Sequence, residues 1–168
     1  MMFKLEILDK YWLPGMPEEE DLCLHGEVRV RIGDVVLQDE VSLSAAALHL
    51  LRSVTEDHWP DEFAKLFPTD GFCWTPDGAG SIYLGGCPNG GFDGSVTHEG
   101  STVCIALENL PSVQISLTAY RAEVLRFADE VELAFWQSKP KVVTSALDEL
   151  WYPIFWSEWR WRREAENV

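Results

Sequence analysis

At 168 residues with 46% apolar side chains, the chain has the size and hydrophobicity of one folded domain, 1–168, able to bury roughly 70% of its unfolded surface. Its 28 acidic and 13 basic residues leave a net charge of −15, which argues against a phosphate-reading face for nucleic acid and against anionic membranes. No apolar run approaches the ~18 residues of a membrane span, and Lys4, Glu6 and Asp9 break any signal-peptide pattern, so the expected compartment is the cytoplasm.

Phe3, Leu5 and Ile7 alternate with Lys4 and Glu6, the period of a strand, before Pro14-Gly15-Met16-Pro17 breaks the pattern. Glu18-Glu19-Glu20-Asp21 is the densest acidic run and reads as a solvated loop or as a surface for a basic partner. Leu22, Leu24, Val28, Val30 and Ile32 predict a long strand, and Gly33-Asp34 turns it back into Val35-Val36-Leu37 as a hairpin. Ser42 or Ser44 can cap a helix over Ala45 to Thr55, whose end, Glu56-Asp57-His58-Trp59-Pro60, is acidic and aromatic. A short helical turn is expected at Glu62 to Phe67, and then an irregular glycine-rich part, Thr69 to Gly94, around a strand at Ser81 to Leu84.

From Phe92 to Trp136 the order is strand, turn, strand, turn, strand, long helix. Ser95 to His98, Thr102 to Leu107 and Val113 to Leu117 predict a meander, with Glu99-Gly100 and Asn109-Leu110-Pro111 as its turns. Thr118 is the expected N-cap of the helix, and Tyr120, Val124, Phe127, Val131 and Phe135 form its apolar stripe. Lys139 suits its C-terminus and Pro140 stops it. Pro153 suits the first turn of a last helix that carries Trp156, Trp159 and Trp161, with Trp151 just before it. Arg160, Arg162 and Arg163 there are balanced by Glu158, Glu164 and Glu166.

His25, His49, His58 and His98 show no HExxH or paired Cys/His spacing, and Cys23, Cys73, Cys87 and Cys104 show no CxxC; no metal and no cofactor are assigned. The cysteines read as small, reduced, buried groups. Leu84 to Gly91 lacks the GxxxxGK[ST] pattern of a phosphate loop, so its glycines read as turns or bulges between strands. Cys87, His98 and Asp93 can be written as a thiol triad, but nothing in their spacing orients one on another. Aromatics beside arginines are the residue types of interface hot spots, so Trp156 and Trp159 are partner-binding candidates along with Glu18, Glu19, Glu20 and Asp21; closing the core is the other reading of that helix.

Two stretches carry a resemblance. Gly86 to Gly100 (GCPNGGFDGSVTHEG) and Tyr120 to Val131 (YRAEVLRFADEV) are similar to segments of small uncharacterised bacterial proteins, some of which look like immunity proteins that cover the active face of a toxin. The resemblance covers about a quarter of the chain and carries over no catalytic residue.

The expected fold is α+β, a mostly antiparallel twisted sheet of five to seven strands with two or three helices packed chiefly on one face. The leading functional expectation is a non-enzymatic module for a basic protein partner, of which an immunity-type inhibitor of a basic toxin is one form. The alternatives are a small-molecule-binding domain or enzyme with a composite site near Cys87 and His98, and a homo-oligomer joined through the Trp-rich C-terminal helix.

Overall fold

The computed structural model describes residues 2–70, 73–107 and 109–164. Its pivot is a helix with almost no exposed face, α1 (Leu43–Ser53), in which every residue but Arg52 is buried. Ser42 caps it, its Oγ accepting from the Ala45 amide at 3.3 Å. A helix that is apolar nearly all round has to be covered nearly all round. Two long helices, α2 (Leu117–Trp136) and α3 (Ala146–Glu164), and the sheet strands supply that cover.

Among the described residues, eight strands form three antiparallel sheets. The first sheet holds β1 (Phe3–Tyr11), β2 (His25–Ile32) and β3 (Val35–Ser42) in the order β1-β2-β3. Gly33 opens the β2–β3 hairpin at φ 58°, a backbone state that costs glycine nothing. The second is a hairpin, β4 (Cys73–Pro76) with β5 (Ile82–Gly85). The third is the meander β6 (Gly94–Glu99), β7 (Thr102–Leu107) and β8 (Val113–Ser116). The α+β class therefore holds, but not one sheet of five to seven strands. The physical reason lies at the strand ends: β3 runs directly into α1 at Ser42, and β8 runs directly into α2 at Ser116. The first and third sheets each stop where a helix begins, and all three sheets are in contact with helices.

The α2 stripe is as the periodicity predicts: Tyr120, Val124, Phe127, Val131 and Phe135 are all buried. Its cap is Ser116, whose Oγ accepts from the Ala119 amide, rather than Thr118. The helix ends at Trp136, ahead of Lys139. No helix forms over Glu62 to Phe67; the Asp93 carboxylate takes the Asp61 amide at 2.8 Å and the Leu66 amide at 3.0 Å, which pulls that segment open. The glycine-rich stretch after β5 runs into β6 with no helix between.

The last helix starts earlier than expected. Pro153 lies inside α3, as its eighth residue, so the Glu149 carbonyl has no amide to take from position 153. Packing offsets that loss. Trp151, Phe155, Trp156 and Trp159 are all buried, each worth ~1.5–3 kcal/mol before entropy. Trp74 of β4 meets Trp151 edge-on at 4.7 Å and stacks on Phe155 at 5.6 Å, so α3 also seats the small hairpin. Arg162 and Arg163 reach beyond α3, to Glu56 and to Asp129 and Glu132, while Glu166 lies outside the described residues.

Two carboxylates lock the layers. Glu158, with no exposed surface, accepts from Arg52 Nε at 2.7 Å and Nη2 at 2.8 Å, from Arg162 Nε at 2.9 Å and from the Ile82 amide at 3.1 Å. One side chain thus joins α3, α1 and β5. Burial disfavours its charge, but the Arg52 and Arg162 bonds outweigh that and hold its carboxyl below the usual range. Glu123 of α2 accepts from the Leu5 amide at 2.7 Å, and Arg126 donates to the Leu5 carbonyl, so a helix takes up the backbone of edge strand β1. Glu158→Gln should cost about 3–5 kcal/mol, because it leaves the buried Arg162 and the half-buried Arg52 guanidinium groups short of charge. Urea unfolding measures this, and a loss below about 1 kcal/mol would mean the cluster behaves like a surface pair.

Candidate functional site

The segment after α1 leaves the core and presents Trp59, which at 64% exposure is the most exposed large apolar side chain among the described residues. Glu56, Asp57, Asp61 and Glu62, all exposed, surround it in sequence. This loop is held at both ends. His58 and Val96 exchange two backbone hydrogen bonds, at 2.8 and 2.9 Å, and Phe67 exchanges two with Phe92. Asp93, nearly buried, accepts from His58 Nε2 at 2.8 Å as well as from the two loop amides. Burial works against the Asp93 charge, yet these donors hold its carboxyl below the usual range. Behind the loop His49 is buried in α1, and burial with Arg52 nearby pushes its imidazole down to about 3, so it is neutral. A depression of about 250 Å³ lies here, lined by His49, Arg52, Asp57, His58 and Trp59 among others.

A second polar cluster lies at the other end of α1. His25, almost fully buried, has its Nε2 3.1 Å from Asp21 Oδ2 and its Nδ1 2.5 Å from Asp70 Oδ2. The first is a hydrogen bond; the second is a close ion pair whose geometry is too poor for one. Burial opposes a charge on the ring, but the two carboxylates outweigh it and raise His25 to about 9. Asp21 also accepts from the Leu13 amide at 2.8 Å and the Cys23 amide at 3.2 Å. Burial first, and then the Asp70 charge, push the Cys23 thiol well up. Cys23, His25 and Asp70 bring one sulfur, one ring nitrogen and one carboxylate oxygen within 4.8 Å of one another. Gly26 keeps the backbone beside His25 close-packed, since a Cβ there would strike the Asp9 carbonyl and come within 2.6 Å of Leu43 Cδ1. A cavity of about 290 Å³, lined by Met16, Leu22, Trp74 and Trp151, opens beside the cluster.

The residues singled out in sequence have other placements. Glu18–Glu20 form one 3-10 turn that clamps the α2–α3 linker: the Glu18 carbonyl accepts from Lys141 Nζ at 2.6 Å and the Glu19 carbonyl from the Val142 amide at 2.7 Å. Lys141 also sits over the Trp12 ring, 3.3 Å from its centroid. Asp21 is buried against His25, and Trp156 and Trp159 lie in the core, where Trp159 Nε1 donates to Glu132 at 2.9 Å. As placed, these three offer almost no surface to a partner. The thiol triad is not assembled: Asp93 takes His58, while His98 has Asp57 at Nδ1 and the Val54 carbonyl at Nε2. None of the four cysteines is paired with another. The sequence signal for the Trp59 surface, EDHWPDE, is visible at positions 56–62; the signal for the His25 cluster is not, because Asp70 is far along the chain.

No family model matches the chain, and no curated protein or solved structure matches it. Among the described residues no helix is long and apolar enough to cross a membrane.

Asp93→Asn should cost about 2 kcal/mol, as expected for hydrogen bonds to a charged acceptor, and should speed hydrogen exchange at the Asp61 and Leu66 amides. The folded carboxyl is depressed, so its contribution is present above the unfolded value of ~3.9 and is lost as pH falls through the lower folded value. The variant should therefore show a flatter acid limb of stability; equal limbs would contradict this role.

Proposed function

We propose that this chain is a non-enzymatic binding protein that takes a basic protein partner through the surface around Trp59. The carrying observation is the exposed Trp59, bracketed by Glu56, Asp57, Asp61 and Glu62, on a loop fixed in place by Asp93 and by the His58–Val96 bridge. Tryptophan is one of the residue types enriched at protein hot spots, and a fixed loop lowers the ordering cost of binding. The −15 charge adds steering toward a cationic face. An immunity-type inhibitor covering a basic toxin is one form of such a module. The Glu18–Glu20 turn, engaged with the α2–α3 linker, is a secondary contributor in this reading.

The exposed outer faces of α2 and α3 favour a second reading, self-association, since Leu133, Trp136 and Leu150 are each more than half exposed. Light scattering distinguishes them: a dimer broken by Trp136→Glu supports it, and a monomer at all concentrations rejects it.

For the leading reading, wild type, Trp59→Ala and a Glu56/Asp57/Asp61/Glu62 amide variant are used as baits in parallel on lysate of the source organism. A basic protein held by wild type should bind Trp59→Ala at least about 30-fold more weakly, the equivalent of a 2 kcal/mol hot spot. The amide variant should associate more slowly and with a shallower salt dependence. Equal retention by all three baits would reject the surface.

A further inference from the structure

The cluster at His25 has a feature that neither the fold nor the partner surface uses. His25 Nε2 is held by Asp21, which fixes the ring and leaves Nδ1, fully buried and without a hydrogen bond, directed at Asp70. Cys23 Sγ converges on the same point, with Ser42 Oγ at 2.8 Å beside it. An imidazolium between two carboxylates would account for Asp21, His25 and Asp70. It leaves unexplained why a thiol is built into the same 4.8 Å group.

We propose that Cys23 Sγ, His25 Nδ1 and an Asp70 carboxylate oxygen form a three-ligand site for a divalent transition-metal ion of the zinc class, with its fourth position open to the adjoining cavity. One sulfur, one nitrogen and one oxygen suit a borderline-soft ion, and the single oxygen is too few for calcium or magnesium. The carboxylate–histidine pair Asp21–His25 is the arrangement that orients a ligating imidazole from behind. Ligand bonds of about 2.0–2.3 Å set tetrahedral donors about 3.3–3.8 Å apart. His25 Nδ1 and Asp70 Oδ2, now at 2.5 Å, have to separate by about 1 Å to admit the ion. Asp70 can make that move: its side chain is 43% exposed, whereas His25 is fixed. Binding releases the thiol proton of Cys23 and any proton on His25 Nδ1, both to solvent through the cavity. The open position makes this an exchangeable site that a chelator reaches, not a closed structural one. None of its residues belongs to the Glu56–Glu62 surface, so it stands or falls independently of the partner reading.

The test is a titration of the chelator-treated full chain with cobalt(II), read by absorption. The expected result is one equivalent bound, with a thiolate-to-cobalt charge-transfer band and the visible bands of a four-coordinate ion, all removed by zinc. Asp70→Asn, at an exposed position, should keep the circular dichroism of wild type and bind at least about tenfold more weakly. Asp21→Asn, a positioning change, should weaken binding about 10–100-fold while keeping the charge-transfer band. Cys23→Ser should lose that band, and Cys87→Ser should keep it. No charge-transfer band at saturating cobalt, a band that survives Cys23→Ser, or an unchanged affinity in Asp70→Asn would each overturn the site. If Cys23→Ser does not fold, Asp70→Asn decides alone.

Discussion

The carboxylate of Glu158 is buried completely, and everything around it follows from the need to satisfy it. Such a charge costs several kcal/mol to bury unless it is fully partnered. Here two guanidinium groups and a backbone amide meet it, from α1, α3 and β5. Arg52 is in turn the one charged residue of α1, and its Nη2 also donates to the Ile82 carbonyl at 2.5 Å. A helix with almost no solvent face and a carboxylate with none thus solve each other's problem. The geometry fixes how α3 lies on α1, and through Trp74 it fixes where the β4–β5 hairpin lies as well.

The two ends of α1 then position the two polar features of the molecule. At its start, Ser42 caps the helix, approaches Cys23 and donates its amide to the Pro68 carbonyl, two residues before Asp70. Ser44 and Leu24 exchange hydrogen bonds beside it. At its end the chain passes Val54, whose carbonyl takes His98, and emerges as the acidic loop that carries Trp59. The central helix is a ruler: a buried, rigid element separates a convergent Cys/His/Asp cluster from an exposed Trp/acid surface. Sites mounted on rigid elements hold their geometry at low entropic cost, which is what binding of either kind requires.

What the sequence made legible was local. Glycine at the head of two-residue loops marks the β2–β3 and β6–β7 hairpins, where Gly33 and Gly100 take positive φ. The four-and-three spacing of Tyr120 to Phe135 marks α2 and its buried face. What was not legible depends on distant partners. The helical turn expected at Glu62 to Phe67 is absent because Asp93, 27 residues beyond Leu66, competes for its amides. Pro153 reads as a helix start by its chemistry, whereas the helix begins before it, with Ser145 Oγ accepting from the Asp148 amide and Trp151 buried on Trp74. β4 is four residues ending in proline, too short to announce itself. The acidic run at Glu18 to Asp21 reads as surface because nothing local shows that Lys139, Lys141 and His25 will occupy it. Conversely, Trp59 reads in sequence as part of an acidic, aromatic helix end, and its exposure is a product of tertiary structure.

With its cover and its one charge shared among all layers, α1 is the last element to open. Native-state hydrogen exchange resolved by residue tests it most directly. The α1 amides and the Ile82 amide should exchange only through global unfolding, with the same free energy and the same dependence on denaturant. If α1 instead exchanged through a smaller opening while β1–β3 stayed protected, the helix would not be the pivot, and the placement of both sites would need another cause.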